Sequence, residues 1–265
     1  DLHSFPTRRS SDLTNADVQL SVTHKRLDEL HPADVADILE QLDPQQRANV
    51  FKHLDDAQAG EAVAEMEDDL QANFIDDLDE KRAAGLLGNM DPDDAADIVR
   101  DLPYEKAETL LRLMGVEDAI EIRQLLGYRD GTAGGMMTPQ FVAVPASSTV
   151  REAVAVLRAL PEDAPSVHYV YVLDDDERLV GVASLRTLLL SDSDTTLGEI
   201  MYDEVISVPP DEAEDEVVED IFKYELTAMP VVDERDVLLG LITVDDAWDA
   251  DRKSTRLNSS HNQRS

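Results

Sequence analysis

Pro32-Ala-Asp-Val-Ala-Asp-Ile-Leu39 and Pro92-Asp-Asp-Ala-Ala-Asp-Ile-Val99 are near copies of each other within one chain. Around them, Leu30, Leu42, Leu54, Met66, Leu78, Met90, Leu102 and Met114 recur at a constant spacing of 12 residues. Most are followed by Asp, Glu, His or Pro, as in Leu42-Asp43-Pro44 and Met90-Asp91-Pro92. Each unit therefore ends on an apolar residue and restarts on a capping pair. Val35, Ile38, Leu39 and Leu42 sit at i, i+3, i+4 and i+7, and Ala95, Ile98, Val99 and Leu102 repeat the phase. That is one apolar face of a helix. Asp91 is placed to cap, Pro92 fits the first helical position, and Asp93 and Asp94 lie in the first turn. A helix of about ten residues is unstable alone. Stacking must bury these faces, so the spacing predicts an α-solenoid over residues 22–115 and a connecting helix at 116–128.

Gly131-Thr-Ala-Gly-Gly135 reads as a flexible break, and the pattern changes after it. Phe141–Val144 is a short predicted strand, Val150–Leu160 a helix and Val167–Leu173 a β-branched and aromatic strand. Asp174–Glu177 is a turn, Leu179–Ser184 a second strand, and Leu185–Leu190 opens another helix. The order then recurs. Met201 parallels Met137, and Val205-Ile-Ser-Val208-Pro209 parallels Phe141-Val-Ala-Val144-Pro145. Glu216–Tyr224 is the helix, Met229–Asp233 and Leu238–Thr243 are strands, and Val244–Ala250 starts the last helix. A β-α-β-β-α unit is present twice.

This second half resembles tandem CBS domains. The resemblance is carried by Gly181-Val-Ala-Ser184, by Pro230-Val-Val-Asp233 and by Gly240-Leu-Ile-Thr243-Val-Asp-Asp246. Ala133-Gly-Gly-Met-Met-Thr-Pro139, Tyr169-Val-Tyr171 and Ser184-Leu-Arg186, with the helical array in front, look specifically like MgtE magnesium transporters. The predicted fold class is α + α/β. It comprises an N-terminal right-handed superhelical array of short helices at 22–128, followed by a CBS pair at 136–250. The two units are placed at 136–192 and 198–250.

The formal net charge is −35, with 58 Asp and Glu against 23 Lys and Arg. Such a surface repels phosphate backbones and anionic membranes, so nucleic acid is not an expected partner. Two readings of the acidity stand side by side: adaptation to a salt-rich cytoplasm, and divalent-cation binding by a local subset of carboxylates. The absence of cysteine excludes disulfides, thiolate zinc sites and thiol catalysis. No apolar run approaches the roughly 18 residues of a membrane span. Residues 1–13 and 251–265 are Ser/Arg-rich against the acidic remainder and read as non-native, adapter-like tails.

An enzyme is not expected. There is no Gly-rich phosphate loop, no Gly-x-Ser-x-Gly elbow and no His-Glu-x-x-His. Carboxylate oxygen is instead the right ligand for Mg²⁺, a hard ion that keeps several waters. The MgtE resemblance implies Mg²⁺ sites between the helical domain and the second CBS unit. It places Glu61 and Asp93 on the helical side and Asp215, Glu225, Asp246 and Asp249 on the CBS side. Ala213 falls where an acidic residue is expected, with Asp211, Glu212 and Glu214 flanking it. For Asp93 and Asp94 the alternative is plain helix capping and dipole compensation. The CBS resemblance also implies ATP or another adenine nucleotide, held by Thr243 and Asp246. The first copy has Ser184 and then Thr187 in place of the Asp, with Arg186 near for phosphate. The implied function is a Mg²⁺-sensing regulatory region on the cytoplasmic side of the membrane, homodimeric through the CBS pair and coupled to the transporter's transmembrane domain. The alternative is a soluble adenine-nucleotide sensor, and a third class is a structural scaffold.

Overall fold

A computed structural model describes residues 30–160 and 168–252. The 12-residue units each form one helix: α1 Pro32–Glu40, α2 Pro44–Phe51, α3 Asp56–Ala64, α4 Asp68–Asp77, α5 Glu80–Leu87, α6 Pro92–Asp101, α7 Tyr104–Leu113 and α8 Val116–Leu125. Asp43, Asp55 and Asp79 are N-caps whose carboxylates accept from the amides of Gln46, Gln58 and Lys81. Each such cap contributes about 1 kcal/mol. Alternate helices pack on one another, α1 on α3, α3 on α5 and α5 on α7 in one row, α4 on α6 and α6 on α8 in the other. The interior repeat residues Leu54, Met66, Met90 and Leu102 are buried, and Leu30 at the open end is exposed.

The few basic side chains close helix C-termini. Arg47 donates to the carbonyls of Leu39 (2.9 Å) and Leu42 (3.3 Å). Arg82 donates to Phe51 (3.0 Å) and Leu54 (3.2 Å), and Lys106 to Asp76 (2.9 Å) and Leu78 (3.2 Å). Gln71 does the same at Ala64 and Met66, both at 2.8 Å. The last carbonyls of a helix have no partner within it and carry its negative dipole end, so these contacts suit cations.

The predicted flexible break is a packed junction. Residues 133–136 form a single helical turn, α9 (Ala133–Met136), and Ala133, Gly134 and Gly135 are buried. The amides of Ala133 and Gly134 donate to the carbonyls of Glu212 and Pro210, both at 2.9 Å. A Cβ on Gly134 would lie 2.6 Å from the Tyr128 ring, and one on Gly135 2.7 Å from the Arg129 carbonyl. These glycines serve close approach, and Gly131 alone takes the left-handed φ of 69°.

The first CBS-like unit contains β1 Ala143–Pro145, α10 Val150–Arg158, β2 Tyr169–Leu173, β3 Leu179–Ser184 and α11 Leu185–Leu190. β1 pairs parallel with β2, and β2 antiparallel with β3. After α12 Leu197–Ile200, the second unit has α13 Glu214–Lys223, β4 Ala228–Val232, β5 Leu238–Thr243 and a helix over 244–252, α14. β4 and β5 are antiparallel. The strand expected at 205–208 reduces to one parallel bridge between Val208 and Val231. Val208 donates to Pro230 and accepts from Val232. Pro209 and Pro210 follow it, and a proline has no N–H with which to extend a ladder. The first unit has Ala146 in place of Pro210, and Ala146 donates to Leu173 at 2.8 Å. The tail segments 1–13 and 253–265 lie outside the described residues. Asp251 and Arg252 continue α14.

Each unit is completed by the segment leading into the other. Thr138 exchanges hydrogen bonds with Leu241 (2.7 and 2.9 Å), and Tyr202 exchanges them with Val182 (both 2.9 Å). Met137 thereby lies over Gly240 and Met201 over Gly181, equivalent contacts for two residues that the repeat puts in parallel. A Cβ on Gly240 would lie 2.6 Å from the Thr138 carbonyl, and one on Gly181 2.5 Å from the Met201 sulfur. Tyr171, Val232, Leu238 and Leu241 form an apolar cluster with side chains from both units. Gly240→Ala is therefore expected to destabilise the chain by roughly 1–3 kcal/mol, the range for overpacking. Thermal melting reads this as a lowered midpoint, and an unchanged midpoint would show that the crossover is not tightly seated.

Candidate functional site

Two helix N-termini meet where the array packs on the second CBS-like unit. One belongs to α6, with Asp91 at the N-cap and Asp93 and Asp94 in the first turn. The other belongs to α14, which follows Thr243 and carries Asp245 and Asp246 in its first turn. An apolar cluster joins the two sides. It runs from Ile98 and Leu125 of the array through Ala133 and Met137 to Ile221, Met229, Ile242 and Ala247 of the second unit.

Asp93 is 8% exposed and is the one buried carboxylate among the described residues. One of its carboxylate oxygens, Oδ1, has no hydrogen-bond partner. Burial and then the charge of Asp246 push its carboxyl well above the usual range, with Asp94 and Asp91 adding to the shift. Burial pushes Asp246 up to about 6, against hydrogen bonds from Thr243 that lower it, and Asp245 and Asp91 raise it further. Those bonds come from the Thr243 amide (3.2 Å) and hydroxyl to the same carboxylate oxygen. Asp91 is raised by burial and by Asp245. Like charges thus confront each other across the interface. The positive ends of α6 and α14 offset this only in part, because a helix N-terminus is worth about half a charge. A buried carboxylate without a partner is costly, so the site fits a group that neutralises it.

The donor set is hard oxygen throughout. Among the described residues no three acidic or histidine side chains converge into a metal-holding group. What the interface offers is pairs of carboxylates, the number Mg²⁺ takes when water fills its remaining positions. Glu61 lies exposed on α3 and Glu225 exposed after α13, with a left-handed φ of 53°. Asp249 is exposed and paired with Arg252 at 3.0 Å. Asp215 is exposed on α13, beside a cavity of about 160 Å³ that Glu214, Glu219, Asp251 and Phe222 also line. Asp93 and Asp246 are the two of the six sequence-derived candidates that act on each other.

At the corresponding place in the first unit, Ser184 caps α11. It accepts from the Thr187 amide at 3.0 Å and meets the Thr187 hydroxyl at 2.8 Å. The two units repeat one turn geometry, and only the second places a carboxylate in it. Arg186 beside Ser184 is exposed. From the sequence, Asp91 reads only as a helix cap, and Asp245 only as part of a helix start beside Asp246. Asp91 falls in the same repeat position as Asp43, Asp55 and Asp79, so periodicity marked it as one more cap.

The architecture is two-part, an α-helical repeat docked on a CBS pair. Residues 30–131 match the family model of the MgtE intracellular N domain, and residues 133–194 and 197–247 match CBS domains. The magnesium transporter MgtE of Enterococcus faecalis is 44% identical over 126 residues, 48% of this chain and 28% of that protein. The crystal structure of the soluble part of a magnesium transporter superposes with a TM-score of 0.80 at 33% identity, covering 87% of this chain and 91% of that one. The cytosolic domain of the Mg²⁺ channel MgtE in complex with ATP does so with a TM-score of 0.80 at 34% identity, covering 85% and 92%. The chain belongs to the MgtE magnesium-transporter family. It spans 28% of the length of the Enterococcus relative, and among the described residues no helix is long and apolar enough to cross a membrane.

Raised carboxyl values give the interface a pH dependence of definite sign. The folded chain binds more protons than the unfolded one between the ordinary Asp range, about 4, and about 6 for Asp246. Stability therefore falls as pH rises through that window and recovers on acidification. In chelator, the melting temperature of Asp93→Asn/Asp246→Asn is expected to exceed that of the wild type at pH 7, and the gap is expected to close towards pH 5. A constant offset across that range would place the repulsion elsewhere.

Proposed function

We propose that this chain is the cytosolic regulatory region of a magnesium transporter, and that it senses Mg²⁺ through the carboxylates between its helical array and its second CBS unit. The observation that carries the reading is the buried, unpartnered carboxylate oxygen of Asp93 opposite Asp246. Asp93 and Asp246 would hold the ion, with Asp215, Glu225, Asp249 and Glu61 as further candidates towards it. A bound Mg²⁺ supplies positive charge where two like charges otherwise repel by roughly 1 kcal/mol in water and more when shielded from it. The docked arrangement then prevails at high Mg²⁺ and loosens at low Mg²⁺, a population shift set by the difference in ion affinity between the two. On the cytoplasmic side of the membrane, this change would act on the transmembrane domain of the same transporter.

The partner we infer for the CBS pair is a second copy. Leu189 and Trp248 occupy equivalent positions in the last helices of the two units and are 80% and 59% exposed. A two-fold partner would cover both. A second ligand has its own support. The Thr243–Asp246 turn repeats the pattern of CBS nucleotide sites, and the solved MgtE cytosolic domain is a complex with ATP. A soluble nucleotide sensor without a transport role would use this turn alone.

Two measurements test these readings. At constant high KCl, millimolar Mg²⁺ is expected to reduce the radius of gyration in solution scattering and to protect residues 55–65 and 90–97 from protease. High monovalent salt screens repulsion but supplies no bridge. Asp93→Ala/Asp246→Ala is expected to blunt the response. Equal size and equal cleavage in Mg²⁺ and in chelator would leave the acidity as salt adaptation. For nucleotide, calorimetry is expected to find at most one ATP per chain, lost in Asp246→Ala; two equivalent sites would contradict the assignment.

A further inference from the structure

We propose that Arg100 is a latch between the helical array and the second CBS unit, holding the linker at 127–132 through Asp130. The inference goes beyond the Mg²⁺ reading and stands without it. Arg100 lies in the last turn of α6, and its Nη1 atom pairs with Asp97 one turn back and with Asp130 of the linker at 3.6 Å. The same Asp130 oxygen, Oδ1, accepts from the Gly131 amide at 3.0 Å. The Gly131 carbonyl accepts in turn from the amide of Glu214, in the first turn of α13, at 3.2 Å. A chain of contacts therefore runs from α6 through the linker to the second unit. It passes through Gly131, the residue with the widest conformational freedom on the route.

The guanidinium is gripped on one side. Its side chain is 20% exposed, and its Nη2 atom is buried with no acceptor among the described residues. A buried N–H without an acceptor costs free energy, so the packing around Arg100 does not by itself hold the group in place. The two carboxylates at Nη1 do, one from its own helix and one from the linker. A side chain held in this way is free to turn out to water once Asp130 moves off. Asp93, Asp97 and Arg100 also lie at i, i+4 and i+7 of α6, on one face of the helix. The interface carboxylate and the latch thus share one stripe of one rigid element. Contiguity alone is not coupling, and the coupling can be measured.

Hydrogen exchange of segment 127–136, read by mass spectrometry on the full chain at constant KCl, is compared in millimolar Mg²⁺ and in chelator. The variants are Arg100→Gln, Asp130→Asn and the two together. An Asn side chain still accepts from the Gly131 amide, so Asp130→Asn removes the ion pair alone. In Mg²⁺ each single variant is expected to speed exchange by roughly two- to fivefold, the range for one partly exposed ion pair, and the double variant no more than either single one. Arg112→Gln, which removes a charge from the neighbouring helix α7, is expected to leave the segment unchanged. Asp130 is exposed, so its variant reads the pair even if Arg100→Gln unfolds the array, which exchange over 44–64 reports. Additive effects of the two single variants, an equal effect of Arg112→Gln, or no effect of Asp130→Asn in either condition overturns the proposal. A coupling that is present in Mg²⁺ and vanishes in chelator supports the latch and the sensor reading together. A coupling of equal size in both supports the latch and contradicts the sensor reading.

Discussion

Two helices whose N-termini come together, each carrying aspartates in its first turn, cannot be brought into contact in water without cost. In this chain the apolar cluster from Ile98 and Leu125 to Ile221 and Ile242 draws the array and the second CBS unit into contact. The same contact buries Asp93 against Asp246. Hydrophobic burial therefore favours docking while electrostatics opposes it, and the balance is open to anything that changes the charge between the two sides. In an evenly charged protein a lysine or arginine would resolve such a conflict permanently. Here the basic side chains are engaged elsewhere: Arg47, Arg82 and Lys106 close helix C-termini, and Arg100 pairs with Asp97 and with Asp130 (3.6 Å). Under the proposed function, the interface is left to a soluble cation.

The CBS pair supplies the rigid side of this arrangement. Its units are interlocked, each strand β3 or β5 receiving the segment that leads into the other unit. The tight junction at α9 ties the end of the array to residues 210–213 of the second unit. Both devices depend on missing side chains, at Gly181, Gly240, Gly134 and Gly135. Gly131, with its left-handed φ, is also held there, its carbonyl accepting from the Glu214 amide at 3.2 Å.

Much of the fold was legible because its signals are periodic. Eight apolar residues at a spacing of 12 define the helices, and Met137 with Met201 marks the duplication that the crossover later explains. The junction was misread for a physical reason. Glycine has the same appearance in sequence whether it confers freedom or permits close packing, and only the positions of Tyr128 and Arg129 distinguish the two. The strand at 205–208 was over-read because its apolar pattern carries no sign that Pro210 lacks the N–H with which Ala146 extends the equivalent ladder in the first unit. At the site, Asp93 and Asp246 came from family resemblance. Asp91 and Asp245 were hidden, one by the capping pattern it shares with its repeats and the other by exposure at a helix start.

The central claim is that Asp93 and Asp246 oppose each other until a divalent ion lies between them. A double-mutant cycle with Asp93→Asn, Asp246→Asn and the double variant, read by unfolding free energy at constant ionic strength, isolates their mutual term. The account predicts a coupling that changes sign: repulsive in chelator, attractive in millimolar Mg²⁺. A coupling of the same sign and size in both conditions would contradict it.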